Sequence, residues 1–196
     1  MALWGATDAD ESKPKWLTTE QKKEVLATTA GWVVEAGSAM TGNDNTAATP
    51  EVLVATGGLT TSLGAATIDS VEWITTAADK SAGFTLSIRV RYNEAVDVAV
   101  SNPTIAVTNG NQGSGSGRGP HTLTYASGTG TNELVFSLVI AAANAATNAD
   151  DVLSIAAQSV VLASSSTIKD AGTSTNAELA ISSAQATACG TLTVVA

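Results

Sequence analysis

The chain has 196 residues and a formal net charge of −9 at pH 7; 44% of its residues are apolar and only 14% are charged. This length allows one or two domains, and the low charge content argues against disorder driven by charge repulsion. The acidic balance, without a dense basic run, argues against nucleic-acid binding, because that binding depends on neutralising phosphates.

The N-terminal part of the chain combines tryptophans with little apolar pattern. Three of the four tryptophans lie within the first 32 residues. Residues 1–17 are predicted to be extended, because Pro14 lacks a backbone donor and disfavours helix in the residue before it. Thr18 or Thr19 can cap a short helix, which Gly31 would end.

Residues 1–50 are therefore predicted to be a docking arm that closes with a linker at residues 35–50. A segment that forms no core of its own must bury its tryptophans elsewhere, on the body of the chain or on a neighbouring subunit. We expect this arm to be weakly ordered in the isolated chain. The predicted partner-binding anchors are Trp4, Lys13, Pro14, Trp16, Leu17 and Trp32.

From residue 51 onward, apolar and polar residues alternate, which is typical of β-strands. The clearest strand is predicted at residues 84–92, with apolar residues from Phe84 to Tyr92 on one face and Thr, Ser and Arg on the other. A second strand is predicted at residues 67–76, and its phase slips near Ser70. These strands have one core face and one wet face.

The rest of the body also predicts short strands. Residues 121–127 and 132–140 predict a hairpin around a Gly-Thr-Gly-Thr turn. Further strands are predicted at 94–100, 103–109, 152–156, 158–163, 178–183 and 190–195. The predicted fold is all-β: an antiparallel sandwich over residues 51–196, preceded by the extended arm with its short helix.

No residue pattern indicates catalysis, and the chain is predicted not to be an enzyme. His121 is the only histidine, and no serine lies in a nucleophile elbow. The glycines between residues 113 and 119 lack the Lys-Ser/Thr and the following helix of a phosphate loop, so they predict a mobile hairpin tip. Cys189, the only cysteine, is predicted to be a small buried hydrophobe. We expect no cofactor.

Two groups of acidic and amide residues leave two interpretations open. Their oxygens suit calcium, but their order lacks the spacing of a calcium loop, so Asx turns are the alternative and no metal site is predicted. They are Asn43, Asp44 and Asn45, and Asn144, Asn148, Asp150 and Asp151. Arg89 and Arg91 are predicted to pair with acidic cross-strand neighbours rather than bind a ligand.

Part of the body resembles a bacterial immunoglobulin-like domain. Residues 84–140 contain Tyr92 followed by Asn-Glu-Ala-Val, then a strand beginning Pro-Thr-Ile, then the hairpin LTYASGTGTNELVF. These segments are similar to the family's conserved turn and hairpin. The resemblance implies an Ig-like sandwich, which is a scaffold and defines no function alone.

The N-terminal segment is similar to the start of virion structural proteins from marine tailed phages, cyanophages in particular. The matching residues are Trp4-Gly5, the run from Lys13 to Leu17, and Gly31-Trp32-Val33. This resemblance implies a virion structural protein. Together with the docking arm and the Ig-like body, it leads us to expect a capsid decoration, or cement, protein that is made in the host cytoplasm and sits on the virion surface. Its partners would be the major capsid protein or other virion subunits, in multiple copies per particle.

Two other functions remain open. One is a neck or tail component of the same virion. The other is a surface-adhesion or carbohydrate-binding module, which would need Trp73, Tyr92 and Tyr125 to form an exposed platform; the alternation places Tyr92 on the core side and weighs against this. No run approaches the ~20 apolar residues of a membrane span, and no signal peptide is recognised, so no membrane partner is expected.

Overall fold

The computed structural model describes residues 12–100, 103–111, 119–142, 144, 146–163 and 165–196. These residues form a mostly β protein with a large mixed sheet and a few short helices. The helices are α1 (Thr19–Lys23), α2 (Leu59–Leu63) and α3 (Ser183–Cys189). The predicted all-β fold is therefore confirmed in its coarser form, as a mostly β protein, while the Ig-like sandwich stays a prediction.

The strands divide into an N-terminal group and a larger group that forms the body. The first group is β1 (Val25–Thr28), β2 (Gly31–Val34) and β3 (Glu51–Ala55). The second begins with β4 (Ile68–Trp73), β5 (Ala78–Asp79), β6 (Phe84–Ala99), β7 (Pro103–Asn111), β8 (His121–Ser127) and β9 (Thr131–Ile140). It ends with β10 (Asp151–Ser154), β11 (Gln158–Ser159), β12 (Val161–Leu162), β13 (Thr167–Asp170), β14 (Ala180–Ile181) and β15 (Thr191–Val195).

One path of hydrogen-bonded neighbours runs through the large sheet in the order β3-β2-β1-β6-β9-β8-β7-β10-β15-β5. Strands β4 and β13 also pair with β6, β12 pairs with β7, and β11 and β14 form a separate small sheet. The β1–β6 and β15–β5 pairings are parallel. Strand β7 pairs with β8 through Val107 and with β10 from Thr108 onward, so it joins two ladders around one core.

The main core follows the alternation predicted for β6. Leu86, Ile88 and Val90 are fully buried, and Ile88 lies opposite Phe136 of β9. Each such side chain contributes about 1.5–3 kcal/mol on full burial. The predicted β8–β9 hairpin and the phase slip near Ser70 are both confirmed, the latter as a register shift between Ile68 and Ser70. Strand β6 continues to Ala99 without the predicted break, through an irregularity between Arg91 and Val96.

The N-terminal segment, defined here as residues 12–63, differs from the predicted extended arm. Helix α1 is capped by Thr18 as predicted but ends at Lys23, and the chain then forms the β1–β2 hairpin instead of continuing as a helix to Gly31. The reason is that this segment has an apolar cluster of its own. The cluster comprises Leu17, Val25, Ala27, Trp32, Val34 and Leu59, with Met40, Leu53, Val54 and Leu63 packed against it.

Strand β3 joins the predicted body, which begins at residue 51, to the predicted arm at residues 1–50. It pairs with β2, and Gly31 lies opposite Ala55 in that ladder. Gly31 has a φ of +130°, and a Cβ atom there would lie 2.0 Å from the carbonyl oxygen of Val54, so this close approach requires glycine. The division into domains at residue 50 stays a prediction, but the ladder crosses that position.

The C-terminal part contains a helix that the sequence pattern did not predict. Helix α3 follows β14, and Ser182 caps it together with Gln185 in a capping box. The strand predicted at 178–183 is reduced to Ala180–Ile181, and the one at 158–163 is divided into β11 and β12.

Candidate functional site

The residues from Pro14 to Leu17 form a turn that presents two side chains to solvent. The amide of Leu17 donates to the carbonyl oxygen of Pro14 over 3.3 Å, which closes a four-residue turn. Pro14 and Leu17 are buried, whereas Lys15 and Trp16 between them are exposed. Trp16 is 64% exposed. The turn thus holds a large aromatic ring away from the core.

Lys13 fixes the turn to two other parts of the chain. Its ammonium group forms an ion pair with Asp69 on β4 and donates to the carbonyl oxygen of Lys22 over 2.7 Å. It also lies 5.9 Å from the ring centroid of Trp32. Burial lowers the pKa of Lys13, and the charge of Asp69 partly offsets this; burial raises the pKa of Asp69. Lys13 is therefore a structural contact between the turn and the sheet.

Most of the predicted anchors contact their own chain. Trp32 is only 3% exposed and belongs to the N-terminal apolar cluster together with Leu17. Its ring is covered, so the prediction that it anchors a partner does not fit this fold. Trp4 lies outside the described residues. Within the described part of the chain, Trp16 is the one predicted anchor that is largely uncovered.

A network of charged residues lies between the N-terminal segment and the sheet. Arg91 is 2.7 Å from Glu133 and 3.7 Å from Glu35, and Arg89 is 3.1 Å from Glu133. The pairing predicted for the two arginines is confirmed. The prediction that Arg91 faces solvent is wrong, because the N-terminal segment covers it and leaves its side chain 8% exposed. Burial raises the pKa of Glu35, whose carboxylate accepts a hydrogen bond from Asn132 over 2.6 Å.

A cleft of about 360 Å³ lies beside the turn, between α1, β4 and α3. Three lysines are among its lining residues, and the remaining ones are uncharged apart from Asp69. The lining residues are Lys13, Thr19, Lys22, Lys23, Asp69, Ser70, Val71, Ala184, Gln185 and Ala188.

Three residues with charged or polar contacts were not predicted from the sequence: Asp69, Glu35 and Asn132. Their partners are distant in the sequence and come close only in the folded chain.

The other candidates from the sequence have local structural roles. His121 begins β8, where its Nε2 atom lies 3.1 Å from the hydroxyl of Thr147; burial lowers its pKa, and the charge of Asp151 acts in the opposite direction. Burial raises the pKa of Cys189 to about 11. His121 and Thr147 are both buried, so their contact lies inside the fold and away from the surface.

The amide-rich loops use their oxygens on their own backbone. Asn43 accepts from the amide of Asn45 over 3.1 Å, and Asn144 accepts from the amide of Ala146 over 2.8 Å. This is the Asx-turn alternative. No group of three or more acidic, histidine or cysteine residues suited to a metal occurs among the described residues. The glycines at 113, 115 and 117 lie outside them.

The aromatic platform required for an adhesion module is not formed by the expected residues. Tyr92 is buried and its hydroxyl donates to the carbonyl oxygen of Glu178 over 3.0 Å. Trp73 is half-buried and donates to Gly190, and Tyr125 packs edge-on against Phe136 with ring centroids 6.1 Å apart. The three rings therefore face their own chain.

Comparison with protein-family models, with curated proteins and with solved structures gave no match for this chain. In the part of the chain that the structure describes, no helix has the length and apolar character needed to cross a membrane.

Proposed function

We propose that this chain is a structural protein of a tailed-phage virion: a decoration protein that docks on the capsid exterior, in multiple copies, through its N-terminal segment. Its body would be an Ig-like sandwich projecting from the particle. The proposal is supported by the two sequence resemblances and by the exposed tryptophan of the N-terminal segment. A neck or tail position is the alternative within the same class.

The exposed ring of Trp16 carries the proposal. A tryptophan that is 64% exposed leaves a large apolar area in water, and tryptophan is among the residues most enriched at the energetic centres of interfaces. Its neighbours Pro14 and Leu17 are buried, so the turn is held while the ring stays available. This geometry suits an anchor that enters a pocket on a partner subunit.

Co-sedimentation with purified virions stripped of this protein tests the proposal. Trp16→Ala should lower the occupancy on particles at least tenfold, because a buried aromatic anchor contributes roughly 2 kcal/mol or more to an interface. Val139→Ala is the matched control, since Val139 is 75% exposed on β9 and is expected to leave occupancy unchanged. Full occupancy of Trp16→Ala would contradict docking through the turn.

A cryo-electron reconstruction of the same particles separates the two positions. Density for this chain on the capsid lattice supports a decoration protein. Density confined to the neck or tail would reject that position and favour the alternative.

A further inference from the structure

The cleft beside the Pro14–Leu17 turn is rich in lysine, which is unusual for this acidic chain. Three of its lining residues are lysines, although the chain has only nine lysines and arginines in all and a net charge of −9. Lys13 and Lys23 are used in ion pairs with Asp69, Glu20 and Glu72. Lys22 has no ion-pair partner among the described residues, and the same holds for Lys15 on the turn.

Three of the other lining residues are apolar and are called the floor of the cleft here: Val71, Ala184 and Ala188. Val71 is buried on β4, and Ala184 and Ala188 are exposed one turn apart on α3. A volume of about 360 Å³ lies within the range of about 300–1,000 Å³ that is typical of ligand sites. The cleft therefore offers an apolar surface for a side chain and ammonium groups for carboxylates.

We propose that this cleft binds an acidic peptide segment of a partner subunit, with an apolar side chain on the floor and carboxylates near Lys22 in the cleft and near Lys15 on the adjoining turn, outside the cleft lining. This inference rests on the proposed docking function and specifies the chemistry of the partner. Charge complementarity supports this inference. The chain has a net charge of −9 and so repels an acidic segment overall, whereas Lys15 and Lys22 attract one. Such attraction orients the partner and speeds association, and salt weakens it.

Isothermal titration of the full chain with two capped synthetic peptides tests the inference without particles. One peptide is Asp-Glu-Leu-Leu-Glu-Asp, and the matched peptide is Asn-Gln-Leu-Leu-Gln-Asn. The acidic peptide should bind at least tenfold more tightly at low salt. Lys15→Gln and Lys22→Gln should each weaken it about two- to fivefold, which corresponds to an exposed ion pair of up to about 1 kcal/mol. Lys80→Gln, away from the cleft, should have no effect.

A second variant tests the floor of the cleft. Ala188→Leu places a larger side chain at an exposed helical position, where leucine is well tolerated, and should block the apolar contact and weaken binding at least tenfold. Equal affinity for the two peptides, or unchanged binding by Ala188→Leu, would overturn the inference.

The two proposals fail in different ways. If Trp16→Ala abolishes docking on particles while the cleft variants bind the acidic peptide normally, the cleft inference fails and the docking function stands. If the acidic peptide binds as expected while Trp16→Ala remains at full occupancy on particles, the docking function fails.

Discussion

The guanidinium of Arg91 on β6 donates a hydrogen bond to the backbone carbonyl oxygen of Lys23 at the end of α1, over 3.0 Å. The two residues are 68 positions apart, and the same guanidinium lies 2.7 Å from Glu133 on β9. The apolar cluster of the N-terminal segment is separate from the main core. Arg91 therefore links two parts of the molecule that have separate cores.

Arg91→Met should destabilise the chain by about 3 kcal/mol. Removing Arg91 takes away the ion-pair partner of Glu35 and the donor to the carbonyl oxygen of Lys23, whereas Glu133 keeps Arg89. Removing one partner of a buried charged contact typically costs about 3–5 kcal/mol. Arg89→Met is the matched control: that side chain is 30% exposed, against 8% for Arg91, so its loss should cost about 1 kcal/mol. Urea unfolding of both variants measures the difference, and equal losses would contradict the role given to Arg91.

Trp32→Ala should destabilise the free chain by about 3–5 kcal/mol, because it empties a buried position in the N-terminal cluster. Trp16→Ala should change stability by less than about 0.5 kcal/mol, because the ring is exposed. Thermal melts of the two variants without any partner provide the test. A Trp16 variant that melts as early as the Trp32 variant would mean that the turn belongs to the core.

Gly31→Ala should destabilise the β2–β3 pairing by more than about 2 kcal/mol. The added Cβ would lie 2.0 Å from the carbonyl oxygen of Val54, and φ at this position is +130°. Gly42→Ala is the control, since Gly42 also has a positive φ but has open space around it. Hydrogen exchange of the β2 and β3 amides should increase in the first variant and change little in the second.

Because of Glu94, we expect the stability of the chain to depend on pH. It is fully buried on β6 opposite Ala27, and neither carboxylate oxygen has a hydrogen-bond partner among the described residues. Burial, with a smaller effect of the nearby Asp170, raises its pKa from 4.5 to about 7. Between pH 4.5 and pH 7, Glu94 is protonated in the folded state but ionised in the unfolded state. The free energy of unfolding therefore falls as the pH rises through this range.

The wild-type chain should therefore lose about 2–3 kcal/mol of unfolding free energy between pH 5 and pH 8 through this group. Glu94→Gln keeps the shape without the charge, so most of that loss should disappear in the variant. Glu51→Gln, at an exposed position on β3, is the control and should follow the wild-type curve. Parallel pH curves for wild type and Glu94→Gln would rule out this assignment.

The sequence predicted those elements whose signals are local. The alternation from Phe84 to Tyr92 specified the inner face of β6, and the glycines between β8 and β9 specified the hairpin. The register shift after Ile68 was visible as a break in the pattern. In each case neighbouring residues decide the structure, so no knowledge of distant contacts was needed.

The predictions were wrong where contacts between residues far apart in the sequence determine the local structure. Val25 and Trp32 gave too little apolar pattern to predict a hairpin, because their cluster is completed by Leu59, beyond the linker. Arg91 was placed on a wet face, because the segment that covers it lies 68 residues earlier. Helix α3 has a clear cap at Ser182, but a single buried residue, Ala186, gave no apolar face to recognise.

The fixed turn at Pro14–Leu17 has a consequence for affinity. Its backbone is already ordered by the Leu17–Pro14 hydrogen bond and the Lys13–Asp69 ion pair, so a partner that closes over Trp16 has little loop entropy left to remove. Asp69 can therefore affect this binding without contacting the partner at Trp16. If its ion pair with Lys13 were lost, the turn would be less ordered, and the partner would have to order it on binding. In the proposed docking, part of the entropic cost of ordering this surface would thus be met when the chain folds, by the contact between Lys13 and Asp69.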